Sequence, residues 1–184
     1  MALNDYASIF GRSFFLAFAT LLPILNPLSV TPIFWTLTAG ASHQTRVHLA
    51  QAVAIDAALL MVGSLIAGNV ALSFFGISLS AVRVGGGLLV MYSGWRLVNS
   101  GDAEDDGSRS ARMAENLTPE MVRARAFYPL TFPISVGPGC IAAAITVGAS
   151  INAHHAPLVR TIGFAGALPG LLVVALLLYG CLRF

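Results

Sequence analysis

An all-helical bundle immersed in a membrane is the fold this sequence predicts, and three observations carry it. Hydrophobic residues make up 57% of the 184 and charged residues only 10%, with a mean hydropathy of +0.80. That is too little polar side chain to coat a water-soluble globule of this length, so the bilayer must serve as solvent. Five stretches are apolar over the roughly 20 residues that cross a bilayer: Phe14 to Leu37, Val53 to Ala71, Ile77 to Leu97, Phe127 to Val147, and Leu158 to Leu182. Two of the five, the first and the fourth, are interrupted by proline-rich segments, Leu22 to Pro32 and Phe132 to Cys140.

These interruptions are the most informative feature of the chain. Proline removes an amide donor and blocks the carbonyl one turn earlier. Backbone groups freed in this way at membrane depth survive only against protein or a wet cavity. The first break, Asn26-Pro27, has Ser29 and Thr31 on the following turn. The Asn26 amide offers both a donor and an acceptor, either to a solute or to the carbonyls of its own kinked helix. Ser29 and Thr31 line the same face or bond back to their helix. The second break, Gly137-Pro138-Gly139, has no side-chain chemistry. Its glycines let backbone approach a ligand, and the half-helix beginning there turns its positive end inward, a setting for a carboxylate. The alternative is a packing hinge of small residues.

The connectors differ in character. Met1 to Gly11 resembles a signal peptide weakly, but the apolar run passes any such length, so the segment is expected to be retained. Leu72 to Gly76 is short enough only for a tight turn between antiparallel helices. Asn99 to Arg125 holds six of the eight acidic residues and reads as a solvated loop, with a short helix starting near Thr118-Pro119-Glu120. Orientation follows from arginine placement. Arg46, Arg96, Arg109, Arg112, Arg123, Arg125 and Arg183 fall on one side, against Arg12 and Arg160 on the other. The N-terminus is therefore expected outside and the long loop in the cytoplasm.

Superposing Asn26-Pro27-Leu28 on Gly137-Pro138-Gly139 aligns the second span with the fifth. Three spans then form one unit, and the second copy enters from the opposite face, an inverted repeat. On this division residues 1–98 are the first repeat, 99–126 the polar loop and 127–184 two spans of the second, whose sixth span would lie past Phe184.

Arg83, about six residues into the third span, is costly there unless it snorkels to the interface, pairs, or faces water. Freed carbonyls and a substrate carboxylate are its candidate partners. Asp56, on the second span, lies roughly 27 Å from the turn near Phe74 against roughly 13 Å for Arg83 at the helical rise, so the two sit at different depths. No metal or cofactor is expected. His43 and His48 miss helical ligand spacing, Gly85-Gly86-Gly87 is no nucleotide loop, and Cys140 and Cys181 form no pattern of pairs. Scattered arginines leave no footprint for nucleic acid. Trp35, Tyr92 and Trp95 read as interfacial anchors.

Asn26-Pro27 running to Pro32-Ile33-Phe34, Phe75-Gly76-Ile77-Ser78, Arg83-Val84-Gly85-Gly86-Gly87-Leu88, and Pro133 followed by Gly137-Pro138-Gly139 together resemble the MarC family of bacterial inner-membrane proteins. The likeness runs in order over nearly the whole chain. It implies a six-span fold, and the family is grouped with neutral amino acid transporters. Members carry a sixth span with its own arginine, so either the sequence is a truncated product or a second copy or a partner is expected to complete a five-span bundle.

The reading this supports is a multi-pass transporter of a small polar solute such as a neutral amino acid, with Asn26, Pro27, Ser29, Thr31, Arg83, Gly137, Pro138 and Gly139 as the binding set. The alternatives are an accessory subunit of a larger assembly and a membrane-embedded enzyme. An enzyme needs an acid, base or nucleophile clustered at one depth, and Asp56 and Arg83 do not supply that, so no enzymatic activity is expected.

Overall fold

A computed structural model describes residues 3–78, 80–82, 84, 85, 87, 88, 91, 92, 95, 126–153 and 156–184. Arg83, most of the long polar loop and His154-His155 lie outside the described residues, as do several positions of the third span. No strand occurs among the described residues. The helices are α1 (Leu3–Leu25), α2 (Pro27–Leu37), α3 (His43–Phe74), α4 (Pro138–Asn152) and α5 (Pro157–Arg183), with a kinked segment, Ala126–Ser135, ahead of α4. The described positions between 80 and 95 are also helical.

Local chemistry sets the ends. Ser42 caps α3 by accepting from the Thr45 amide at 3.2 Å. At the other end Gly76 adopts φ +64°, the Ile77 amide donates to the Leu72 carbonyl at 2.9 Å, and the Gly76 amide donates to Ser73 at 3.2 Å. This is a Schellman cap, in which glycine takes the left-handed position without a Cβ penalty. The tight turn expected at Leu72 to Gly76 is therefore present. Proline occupies the first position of α2, α4 and α5, where its missing donor costs nothing.

Helix directions follow from close contacts. The carbonyls of Phe10 and Phe14 on α1 lie against Gly166 and Gly170 of α5, so α1 and α5 run the same way. Gln51 Nε2 donates to Tyr179 Oη at 3.4 Å, and the groove beside them pairs Ala54 and Ala58 with Ala175 and Leu172, so α3 runs opposite to α5. On α4, Gly148 lies against the Leu65 backbone of α3, and Gly68 faces Ile145. Lipid gives helices no hydrophobic reason to associate, so such glycine contacts let backbones approach closely enough for dispersion to hold them.

The buried side chains, among them Leu21, Phe34, Met61, Leu65, Leu171 and Leu178, form one cluster shared by all five helices and the kinked segment. Phe15, Leu28, Val70 and Leu176 point outward and are more than half or nearly half exposed, as a lipid-facing surface requires.

Three helices are long and apolar enough to span a bilayer: Asn4–Leu25, His43–Gly68 and Pro157–Arg183. The kinked segment and α4, bent by 70° at their junction, make a fourth if taken as one broken span. The expected five spans are thus three or four among the described residues, because much of the third lies outside them. Two boundaries also shift. The first span begins at Asn4 rather than Phe14, since Asp5 in the first turn and Ser8, whose hydroxyl bonds the Asp5 carbonyl at 2.7 Å, start the helix ahead of the apolar run. The second begins at His43, ten residues before Val53, under the Ser42 cap.

Candidate functional site: two proline breaks

At the first break Asn26 takes φ 44° and ψ 70°, a left-handed conformation that asparagine tolerates better than most residues. Its Oδ1 accepts from the Ser29 amide at 3.4 Å, and its Nδ2 donates to Ser29 Oγ at 2.6 Å. Thr31 Oγ1 donates to the Pro27 carbonyl at 2.8 Å. Asn26 and Ser29 are exposed, Pro27 is buried and Thr31 is half-buried. The Asn26 amide therefore caps α2, and the Thr31 hydroxyl bonds its own helix.

The position of this break differs from the expected one. Phe14 to Leu37 reads in sequence as one span parted midway, yet α1 runs unbroken to Leu25 and is long enough to cross by itself. The contacts of Phe10 with Gly166 and Phe14 with Gly170 put Leu25 about level with Cys181, near the end of α5. Gln51 beside Tyr179 brings the first turns of α3 to that same end. Asn26 thus sits where α1 and α5 finish, and α2 packs there against α5 and the kinked segment. Arg46 of α3 fastens the far end of α2: its guanidinium stacks on Trp35 at 4.4 Å, and Nη2 donates to the Thr38 carbonyl at 3.2 Å.

The second break lies inside its span. Tyr128 (φ −125°, ψ 124°) and Phe132 (φ −116°, ψ 123°) leave helical geometry, and the Phe132-Pro133 bond is cis. Two buried hydroxyls bond carbonyls of the kinked segment. Thr131 Oγ1 donates to Ala126 and Ser135 Oγ to Leu130, both at 2.7 Å, while the Val136 amide donates to Thr131, also at 2.7 Å. This is how a broken helix is tolerated away from water.

Gly137 caps α4 with its backbone alone, at φ −78° and ψ 173°, a conformation open to any residue. A methyl there would lie 3.4 Å from the Pro133 carbonyl, an ordinary contact, so nothing local demands glycine. Pro138 lacks an N–H, which makes the Gly139 amide the first donor that α4 presents. Pro138 also lines a groove of about 310 Å³ with Val82, Gly85, Phe132, Ile141 and Ile145. This lining is apolar, and Asn26, Ser29 and Thr31 are not part of it. The structure brings the two breaks together only to the extent that α2 touches the kinked segment. Arg83, expected to join them, is outside the described residues.

Thr131, Ser135 and Arg46 are absent from the expected set. The available signal was a hydroxyl within two residues of a mid-span proline, in Thr131-Phe132-Pro133 and Pro133-Ile134-Ser135. Thr131→Val and Ser135→Ala should each lower stability by about 0.5–1.5 kcal/mol by removing a buried hydrogen bond. Thr36→Val, which removes an exposed hydroxyl bonded to Pro32, should change it by less than about 0.5 kcal/mol. Thermal unfolding in detergent, followed by tryptophan fluorescence, checks the contrast.

Long apolar helices, lipid-facing side chains and a proline-broken span define a multi-pass helical membrane protein. The family model described as "MarC family integral membrane protein" matches residues 11–183, and the chain belongs to that family. It is 28% identical over 168 residues to the UPF0056 inner membrane protein MarC of Salmonella typhimurium, covering 91% of this chain and 76% of that protein. A UPF0056 membrane protein of Buchnera aphidicola is 28% identical over 141 residues, 76% of this chain and 63% of the relative. The MarC protein of Escherichia coli O1:K1 / APEC is 29% identical over 137 residues, 74% and 62% of the two chains. No solved structure matches. The names of the Salmonella and Escherichia coli relatives place those proteins in the inner membrane, and none of the three names carries an enzymatic activity.

Proposed function

We propose that the protein moves a small polar solute, such as a neutral amino acid, across the inner membrane as a secondary transporter, without enzymatic activity. One observation carries this reading: the kinked segment and α4 bend by 70° inside a stretch that spans the membrane only as a pair, and α4 begins there without a side-chain cap. A helix start without a side-chain cap inside a span suits a solute carboxylate. Gly137, Pro138 and Gly139 form the backbone cradle, and Arg83 supplies the counter-charge. Asn26, Pro27, Ser29 and Thr31 form the mouth at the end of the bundle, where α2 meets the kinked segment.

The halves relate as inverted repeats. Proline at the first helical position after both breaks supports this, as does the opposite run of α3 and α5, the two helices the repeat equates. By arginine placement the N-terminus faces outward and the long loop the cytoplasm.

Uptake of labelled alanine and serine into proteoliposomes tests the reading. The wild type should load well above empty vesicles, and Arg83→Ala should reduce the rate at least about tenfold, the loss expected for one charge-assisted contact. Loading no faster than empty vesicles across a neutral amino acid panel would overturn it.

A further inference from the structure

The end of the bundle away from Asn26 holds a separate cavity. Arg12 and Ser13 of α1, Ser150 and Ile151 of α4, and Val159 and Gly163 of α5 are among the residues enclosing about 310 Å³. That is near the lower limit of small-molecule pockets and holds a solute of several heavy atoms. Gly163 keeps one wall back: a methyl there would stand 2.8 Å from Ile151 Cγ2 and 3.5 Å from Ser13 Oγ.

The polar lining is asymmetric. Among the described residues of the lining Arg12 is the one that is charged, and none of them is a carboxylate that balances it. A guanidinium matches a carboxylate through two parallel N–H···O bonds. The Ser13 hydroxyl can donate to the same group. Ser150 differs, because its hydroxyl proton is committed to the Thr146 carbonyl at 2.9 Å, leaving Oγ able only to accept. Val159 belongs to the first turn of α5, whose cap residue, Ala156, has no side chain that accepts, so the positive end of that helix reinforces Arg12.

We propose that this cavity binds a small carboxylate bearing an adjacent hydrogen-bond donor. Arg12 and Ser13 hold the carboxylate, and Ser150 accepts from the neighbouring donor. The site stands apart from both breaks and does not depend on the transport reading.

The test is saturable binding of labelled L-lactate to the purified full chain in phosphatidylcholine nanodiscs, with acetate as the carboxylate that lacks the second group. Arg12→Gln should weaken lactate binding at least about tenfold, since a charged hydrogen bond is lost. Ser150→Ala should weaken lactate several-fold toward the acetate value and leave acetate unchanged. Arg160→Gln, which removes an exposed arginine outside the lining, should bind as the wild type does. The proposal is overturned by absence of saturable lactate binding, by wild-type affinity in both Arg12→Gln and Ser150→Ala, or by loss of lactate binding when phosphatidylglycerol replaces phosphatidylcholine. That last result would make the cavity a lipid-phosphate site.

Discussion

Gly148→Ala is expected to destabilise the protein by about 1–3 kcal/mol, the usual cost of forcing a methyl into a packed interior, whereas Gly180→Ala should leave it unchanged or slightly more stable. Both glycines are inside long helices, where alanine is intrinsically favoured by roughly 1 kcal/mol. The difference is in what a side chain would meet. At Gly148 a Cβ would overlap the Leu65 carbonyl, which is backbone and cannot rotate away, while at Gly180 there is nothing within 4 Å. Gly166→Ala, against the Phe10 carbonyl, should behave like Gly148→Ala. Gly148→Leu should abolish the monodisperse species altogether, because α4 could not seat on α3. Size-exclusion chromatography and melting of the detergent-solubilised variants read these outcomes. Equal stability of Gly148→Ala and Gly180→Ala would show that α3 and α4 do not touch as described.

That contrast also shows which parts of the fold are legible in sequence. The turn at Leu72 to Gly76 and the two proline breaks were readable because each depends on a few neighbouring residues and one backbone conformation. The membrane setting was readable because composition alone leaves too little polar surface. The roles of Gly148, Gly166 and Gly170 were not, since each depends on a carbonyl of another helix, and spacing within one helix does not name the partner. Thr131 and Ser135 were missed for a related reason: a hydroxyl reaches the carbonyl five residues back only once the segment has kinked.

The first break was found but placed wrongly along its span. An apolar window cannot see that the helix already runs from Leu3, and those added turns carry Asn26 to the end of the bundle. The helix break is therefore legible in the fourth span and displaced in the first.

Asn26 then separates two roles that its position combines. Asn26→Ala should cost about 1–2 kcal/mol, from the lost cap to Ser29 and from alanine's poorer tolerance of the left-handed conformation. Asn26→Gly should cost only a few tenths of a kcal/mol, because glycine accepts φ 44° freely and is itself a fair cap. Both variants remove the same amide, so stability and solute handling become separable. If the amide faces the solute path, Asn26→Gly will melt like the wild type yet lose most of its uptake in proteoliposomes. If the amide only caps α2, Asn26→Gly will keep both stability and uptake, and Asn26→Ala will lose uptake only in proportion to the folded protein it loses. The hydrogen bonds to Ser29 at 2.6 and 3.4 Å satisfy one donor and one acceptor of the four bonds an asparagine amide can make. An exposed amide in that state retains one donor and one acceptor site, so capping and solute contact do not compete for the same atoms' full capacity, and the glycine variant is the one that tells them apart.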